Sequence, residues 1–95
     1  PDTYRSFSEL TRTEKEGRDF QINLIDRDSP ATILAIHGGR IEPGTSEVAT
    51  ALAGSDLNLY LFEGIKPSHN RVLHITSSRF DEPRARALAA VSRKC

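Results

Sequence analysis

Ala31-Thr32-Ile33-Leu34-Ala35-Ile36, closed by His37-Gly38-Gly39, is an apolar run broken by a glycine pair. It hardly alternates between apolar and polar residues. It therefore reads as a strand buried on both faces, the pattern of sheets with parallel strands. A loop through Pro43-Gly44 follows, and a helix is expected over Thr45–Ala53. Val48, Ala51 and Leu52 fall at i, i+3 and i+4 there and form its expected packing face. Gly54 is a natural stop. Leu57–Phe62 is a further apolar strand, ended by Glu63-Gly64. A strand, a helix and a second strand in this order imply an α/β sheet that is at least partly parallel.

Working outward, Phe20-Gln21-Ile22-Asn23-Leu24 alternates as a half-buried strand does. Upstream, Ser6-Phe7-Ser8-Glu9 is a capping box that opens a polar helix, with Gly17 as its expected end. Downstream, Val72–Thr76 reads as a short strand. Asp81 or Glu82 is expected to cap a last helix with Pro83 in its first turn. Ala87, Leu88 and Val91 would form its packing face, and Arg84, Arg86, Arg93 and Lys94 would face solvent. The expected fold is one α/β unit over residues 1–95, a partly parallel mixed sheet flanked by helices.

Ninety-five residues make one domain at most. Thirteen basic residues balance thirteen acidic ones, so no global field pulls the chain toward nucleic acid or a membrane surface. The longest apolar run, Ala87–Val91, is five residues; a membrane span needs about twenty. The single cysteine, Cys95, forms no internal disulfide and excludes a cysteine zinc finger. No basic start followed by an apolar stretch marks a secretion signal.

Ligands in α/β sheets bind at the carboxyl ends of strands, which singles out His37, Glu63 and His74. Glu42 lies five residues beyond His37, a spacing that a loop can close and a helix cannot. Two imidazoles and one carboxylate, with a fourth position open, are the donor set of a catalytic zinc. The bland alternative is a strand-capping His37, a solvated Glu42 and a core His74. His69 is a further loop histidine. The same loop, Gly39-Arg40-Ile41-Glu42-Pro43-Gly44-Thr45-Ser46, also approaches the phosphate-loop pattern G-x-x-x-x-G-K-[ST]. That pattern suggests a non-catalytic binding module, but Thr45 replaces the lysine and Glu42 puts a negative charge in the cradle.

Three segments carry a resemblance: Tyr4-Arg5-Ser6-Phe7-Ser8-Glu9-Leu10, His37-Gly38-Gly39-Arg40-Ile41-Glu42-Pro43-Gly44-Thr45-Ser46-Glu47, and Leu73-His74-Ile75-Thr76-Ser77-Ser78-Arg79-Phe80-Asp81-Glu82-Pro83. Together they resemble the bacteriophage poly-γ-glutamate hydrolase family. The resemblance implies a zinc carboxypeptidase-like fold and hydrolysis of γ-glutamyl amide bonds in poly-γ-glutamate. It makes His37, Glu42 and His74 the ligands of one Zn²⁺. Glu47, Glu63 and Asp81 are the candidates to brace the imidazoles. Arg40 and Arg79 flank the ligands and would pair with substrate carboxylates.

The chain resembles only the N-terminal half of that family's pattern. The glutamate expected as general base lies in the other half and has no counterpart here, which leaves Glu63 as the local candidate. An α/β sheet cut this way exposes apolar faces and an open edge, so the missing half or another partner is expected to complete it. The expected setting is cytoplasmic, or that of a phage protein released on lysis.

Overall fold

A computed structural model describes residues 2–91. The elements run α1 (Phe7–Leu10), β1 (Phe20–Ile25), β2 (Thr32–Gly39), α2 (Thr45–Ala53), β3 (Asn58–Gly64) and α3 (Pro83–Val91). Two 3-10 turns, Asn70–Leu73 and Ser77–Arg79, lie between β3 and α3. The sheet order is β1-β3-β2, with β1 antiparallel and β2 parallel to β3. The α/β class and the mixed sheet are as the sequence indicates. Arg93, Lys94 and Cys95, and the side chain of Val91, for which the sequence also sets expectations, lie outside the described residues.

β3 sits in the middle, and its alternation divides the interior. Tyr60 and Phe62 point to one face, into a core with Phe7, Leu10, Phe20, Leu73, Ile75 and Leu88. Leu59 and Leu61 point to the other, against Ala35, Ala49 and Ala53. Phe20 stacks on Phe62 at 5.0 Å, and Phe7 meets both rings edge-on. Aromatic pairs in these geometries contribute beyond their buried area.

Four expectations are corrected. First, α1 ends at Leu10 rather than running to Gly17. The capping contact is present, with Ser6 Oγ accepting from Glu9 N–H at 3.2 Å. Only Phe7 and Leu10 give the segment an apolar face, and both are buried. Beyond them the chain turns to place buried Glu14 against the Lys66 ammonium, at 3.1 Å.

Second, α2 buries Ser46, Ala49 and Ala53, while Val48 and Leu52 are 61% and 65% exposed. Small side chains let the helix lie close on β2 and β3, and its bulky residues line a groove of about 580 Å³ with Ile33, Ala35 and His37. Third, Val72–Thr76 forms no strand. Leu73 and Ile75 are buried and flank a partly exposed His74, so the side chains alternate. The backbone lacks a ladder partner, however: His74 N–H closes the 3-10 turn on Arg71 O, and Thr76 N–H goes to Asp2.

Fourth, α3 buries Ala85 and Leu88, and Ala87 is exposed. Glu82 rather than Asp81 caps it, accepting from Ala85 N–H at 3.1 Å. Asp81 instead accepts from Phe7 N–H at the start of α1. Glu82 is only 2% exposed and also accepts from Tyr60 Oη at 2.7 Å and Arg84 Nε at 3.0 Å. Burial, and then this bond, push the Tyr60 hydroxyl well above its usual pKa. Glu82→Ala removes a cap and orphans a buried hydroxyl, so a loss of about 2–3 kcal/mol is expected in urea unfolding. A loss below about 0.5 kcal/mol would mean that neither contact matters.

Candidate metal centre

β2 does not run straight to its end. Ala35 pairs with Leu61 and Gly38 with Glu63, so three steps on β2 face two on β3. Such a bulge re-aims a side chain, and here it falls at Ile36-His37. The following loop folds back on the strand. Glu42 N–H donates to His37 O at 3.0 Å, Ile41 N–H to Gly38 O at 3.2 Å and Arg40 N–H to Gly64 O at 3.0 Å. Buried Ile41 anchors the loop in the core. The loop needs its second glycine: Gly39 has φ +60, and a Cβ there would meet Gly64 O at 2.6 Å.

This fold-back returns Glu42 to His37, with Oε1 3.6 Å from Nδ1. His74 arrives from the end of the first 3-10 turn, and its ring stacks on His37 at 3.9 Å between centroids and 18° between planes. One ligand atom from each of His37, Glu42 and His74 lies within 4.8 Å of the others. The three residues singled out by spacing therefore converge.

Both imidazoles are braced, by groups the sequence did not indicate. His37 Nε2 lies 2.8 Å from Ile75 O. A carbonyl only accepts, so Nε2 carries the proton and the Nδ1 lone pair faces Glu42. His74 Nδ1 lies 2.9 Å from Asp2 Oδ1, which by the same logic leaves Nε2 free. Asp2 also accepts from Thr76 N–H at 2.6 Å and Thr76 Oγ1 at 2.8 Å. These two bonds first, and then His74, hold its carboxyl well below the usual carboxylate range. Seventy-two residues separate Asp2 from His74, and no local signal links them.

The acids proposed for that bracing role are placed elsewhere. Glu47 is exposed on α2 and Asp81 holds α1. Glu63 accepts from Ser46 Oγ at 2.7 Å, Asn23 Nδ2 at 2.6 Å and Gln21 Nε2 at 3.1 Å. Three donors make it a tie between β1, β3 and α2, and it does not line the cavity at Glu42 and His74. His69 bonds Ser68 in a loop and is not among the converging residues.

That cavity holds about 370 Å³ and is lined by Asp2, Ile41, Glu42, Arg71 and His74, with Thr3 and Val72 completing its wall. Arg71 is the cation beside the cluster. Exposed Arg40 instead donates to Lys66 O at 2.8 Å, and Arg79 lines a separate cavity. The phosphate-loop pattern builds no phosphate cradle. The amides of Arg40, Ile41 and Glu42 are bound to carbonyls, and Ser46 Oγ lies between Gly39 N and Glu63.

The donor set fits a divalent zinc. It combines one carboxylate with two imidazoles whose outer nitrogens each face an acceptor, which leaves the other nitrogen of each ring toward the cluster. Asp2→Ala is therefore expected to weaken zinc binding about 10–100-fold, read by competition with a chelating dye. Unchanged affinity would show that His74 needs no brace.

Among the described residues no helix is long and apolar enough to cross a membrane. The chain is 51% identical over 84 residues to YndL of Bacillus subtilis (strain 168), covering 88% of this chain and 32% of that protein. It is 44% identical over 87 residues to YmaC of the same strain, covering 90% and 36%. Two solved structures superpose closely. Zinc-free apo YndL gives a TM-score of 0.91 at 46% identity, over 98% of this chain and 45% of that one. A bacteriophage poly-gamma-glutamate hydrolase gives 0.90 at 33% identity, over 97% and 45%. The chain thus spans about a third of its curated relatives and under half of the solved chains. With a closely superposing fold and a family profile that matches residues 4–95, the chain belongs to the poly-gamma-glutamate hydrolase family.

Proposed function

We propose that this chain is the metal-binding part of a zinc-dependent hydrolase that cleaves γ-glutamyl amide bonds in poly-γ-glutamate. The observation that carries the reading is the convergence of His37, Glu42 and His74 within 4.8 Å, two of them with their outer nitrogens bonded. His37 Nδ1, a Glu42 oxygen and His74 Nε2 would hold the ion. Zinc in such an open site polarises a carbonyl oxygen and lowers the pKa of water to about 7. Ile75 O and Asp2 keep both rings in the ligating tautomer. Arg71, on the wall shared with Glu42 and His74, holds a substrate α-carboxylate, which arginine can do bidentately.

The rest of such an enzyme docks beside β2. Among the described residues that strand pairs on one side only, and apolar grooves flank it on both faces of the sheet. Elemental analysis of protein purified without chelator tests the reading: one zinc per chain is expected. Absence of stoichiometric metal, with the fold intact by circular dichroism, would overturn it.

A further inference from the structure

Away from the metal cluster, Arg5, Arg79 and Arg86 line a single cavity of about 470 Å³. They come from three separate places: the segment before α1, the end of the second 3-10 turn, and α3. All three are exposed. Among the described residues no carboxylate pairs with any of them, although the same fold pairs Arg18 with Asp19 at 2.6 Å and Arg84 with Glu16 at 2.8 Å. The one acid in the cavity wall, Asp81, is already engaged. Its Oδ1 accepts from Phe7 N–H at 2.7 Å and its Oδ2 from Ser8 Oγ at 3.4 Å. Three guanidiniums against one such carboxylate leave a local positive excess in a chain whose net charge is zero.

We infer that the Arg5–Arg79–Arg86 cavity is a second polymer-binding site, which takes the free α-carboxylates of a poly-γ-glutamate strand. The inference rests on the substrate reading above. In a γ-linked chain every residue keeps its α-carboxylate, so the ligand is a regular row of planar anions. A guanidinium fork pairs with each one bidentately. Ser6 and Ser78, in the same wall, add hydroxyl groups. The cavity shares no lining residue with the one that holds Glu42 and His74, so it grips polymer away from the bond being cut. A nucleic acid fits less well. Phosphate-backbone binding draws on a broad basic surface with many contacts, and the positive excess here is confined to one cavity.

The test is fluorescence anisotropy of a labelled poly-γ-glutamate oligomer with the protein in chelator, so that the metal cluster plays no part. The triple variant Arg5→Gln, Arg79→Gln, Arg86→Gln is expected to bind on the order of tenfold more weakly, each exposed pair contributing roughly 1.5- to 5-fold. Added salt should weaken the parent more steeply than the variant, which keeps Arg71. His37→Ala with His74→Ala should lose zinc yet keep this binding. Equal affinity in a triple variant that is folded by circular dichroism would overturn the inference. So would tighter binding of a thymidylate oligomer than of polyglutamate. A parent that holds zinc but binds no oligomer refutes the second site and leaves the metal reading standing. Arginine-dependent binding by a protein that takes up no zinc does the reverse.

Discussion

Replacing His37 or His74 by alanine is expected to lower zinc affinity by on the order of 10²–10³-fold. Four-ligand protein zinc sites are worth roughly 10–16 kcal/mol, so each protein ligand carries about 2.5–4 kcal/mol. Loss of His37 also removes the ring stacked on His74 at 3.9 Å and frees Ile75 O. Loss of His74 frees Asp2, which stays tied to Thr76. Glu42→Gln should weaken binding less, because an amide oxygen still donates but carries no charge. Glu42 is also 56% exposed, so water screens part of its contribution. His69→Ala should leave zinc affinity unchanged, since its ring bonds Ser68 and is not among the converging residues. Titration against a competing chelator reads all four. Equal losses for His69 and His74 would mean that the ligand set is wrong.

The parts of this fold that were legible in the sequence are those fixed by local chemistry. Gly44 and Gly54 bracket α2, and its observed bounds, Thr45–Ala53, are the expected ones. The apolar runs at β2 and β3 left no other assignment. The face of α2 was not legible, because periodicity ranks residues by hydrophobicity. The sheet instead selected Ser46, Ala49 and Ala53 for close approach. At Leu73-His74-Ile75 the alternation was real, but pairing is a tertiary property, and among the described residues no strand lies alongside.

The three converging side chains were legible in the sequence and their supports were not. A histidine before two glycines, a glutamate placed to fold back and a histidine between two apolar residues are local patterns. Their bracing partners are a main-chain carbonyl and a carboxylate 72 positions away. Neither leaves a trace in composition or spacing. Arg71 was one of several arginines near the ligands, and only the shape of the cavity distinguished it from Arg40 and Arg79.

Residues 1–95 alone are expected to hold zinc and to shorten poly-γ-glutamate at no more than about 10⁻² to 10⁻⁴ of the rate of a longer protein that contains them. Hydrolysis of an amide adds water across the bond. A positioned base takes the water's proton and returns it to the leaving nitrogen, a service worth on the order of 10²–10⁴ in rate. The acids lining the cavity at the cluster are Asp2 and Glu42. Asp2 is bonded to Thr76 and His74, and Glu42 faces His37 and is assigned to the metal in the proposal above. Glu63, the remaining candidate, is held by Ser46, Asn23 and Gln21 and does not line that cavity. No described carboxylate at the cluster is thus free for the task. The relatives are long enough to supply one, because the chain covers only 32–36% of YndL and YmaC. Polymer length followed on a gel, with each form at equal zinc occupancy, decides the matter. Rapid, chelator-sensitive shortening by the 95 residues alone would place the base inside them. Glu63→Gln would then be the first variant to assay, and a drop of 10²-fold or more would identify it.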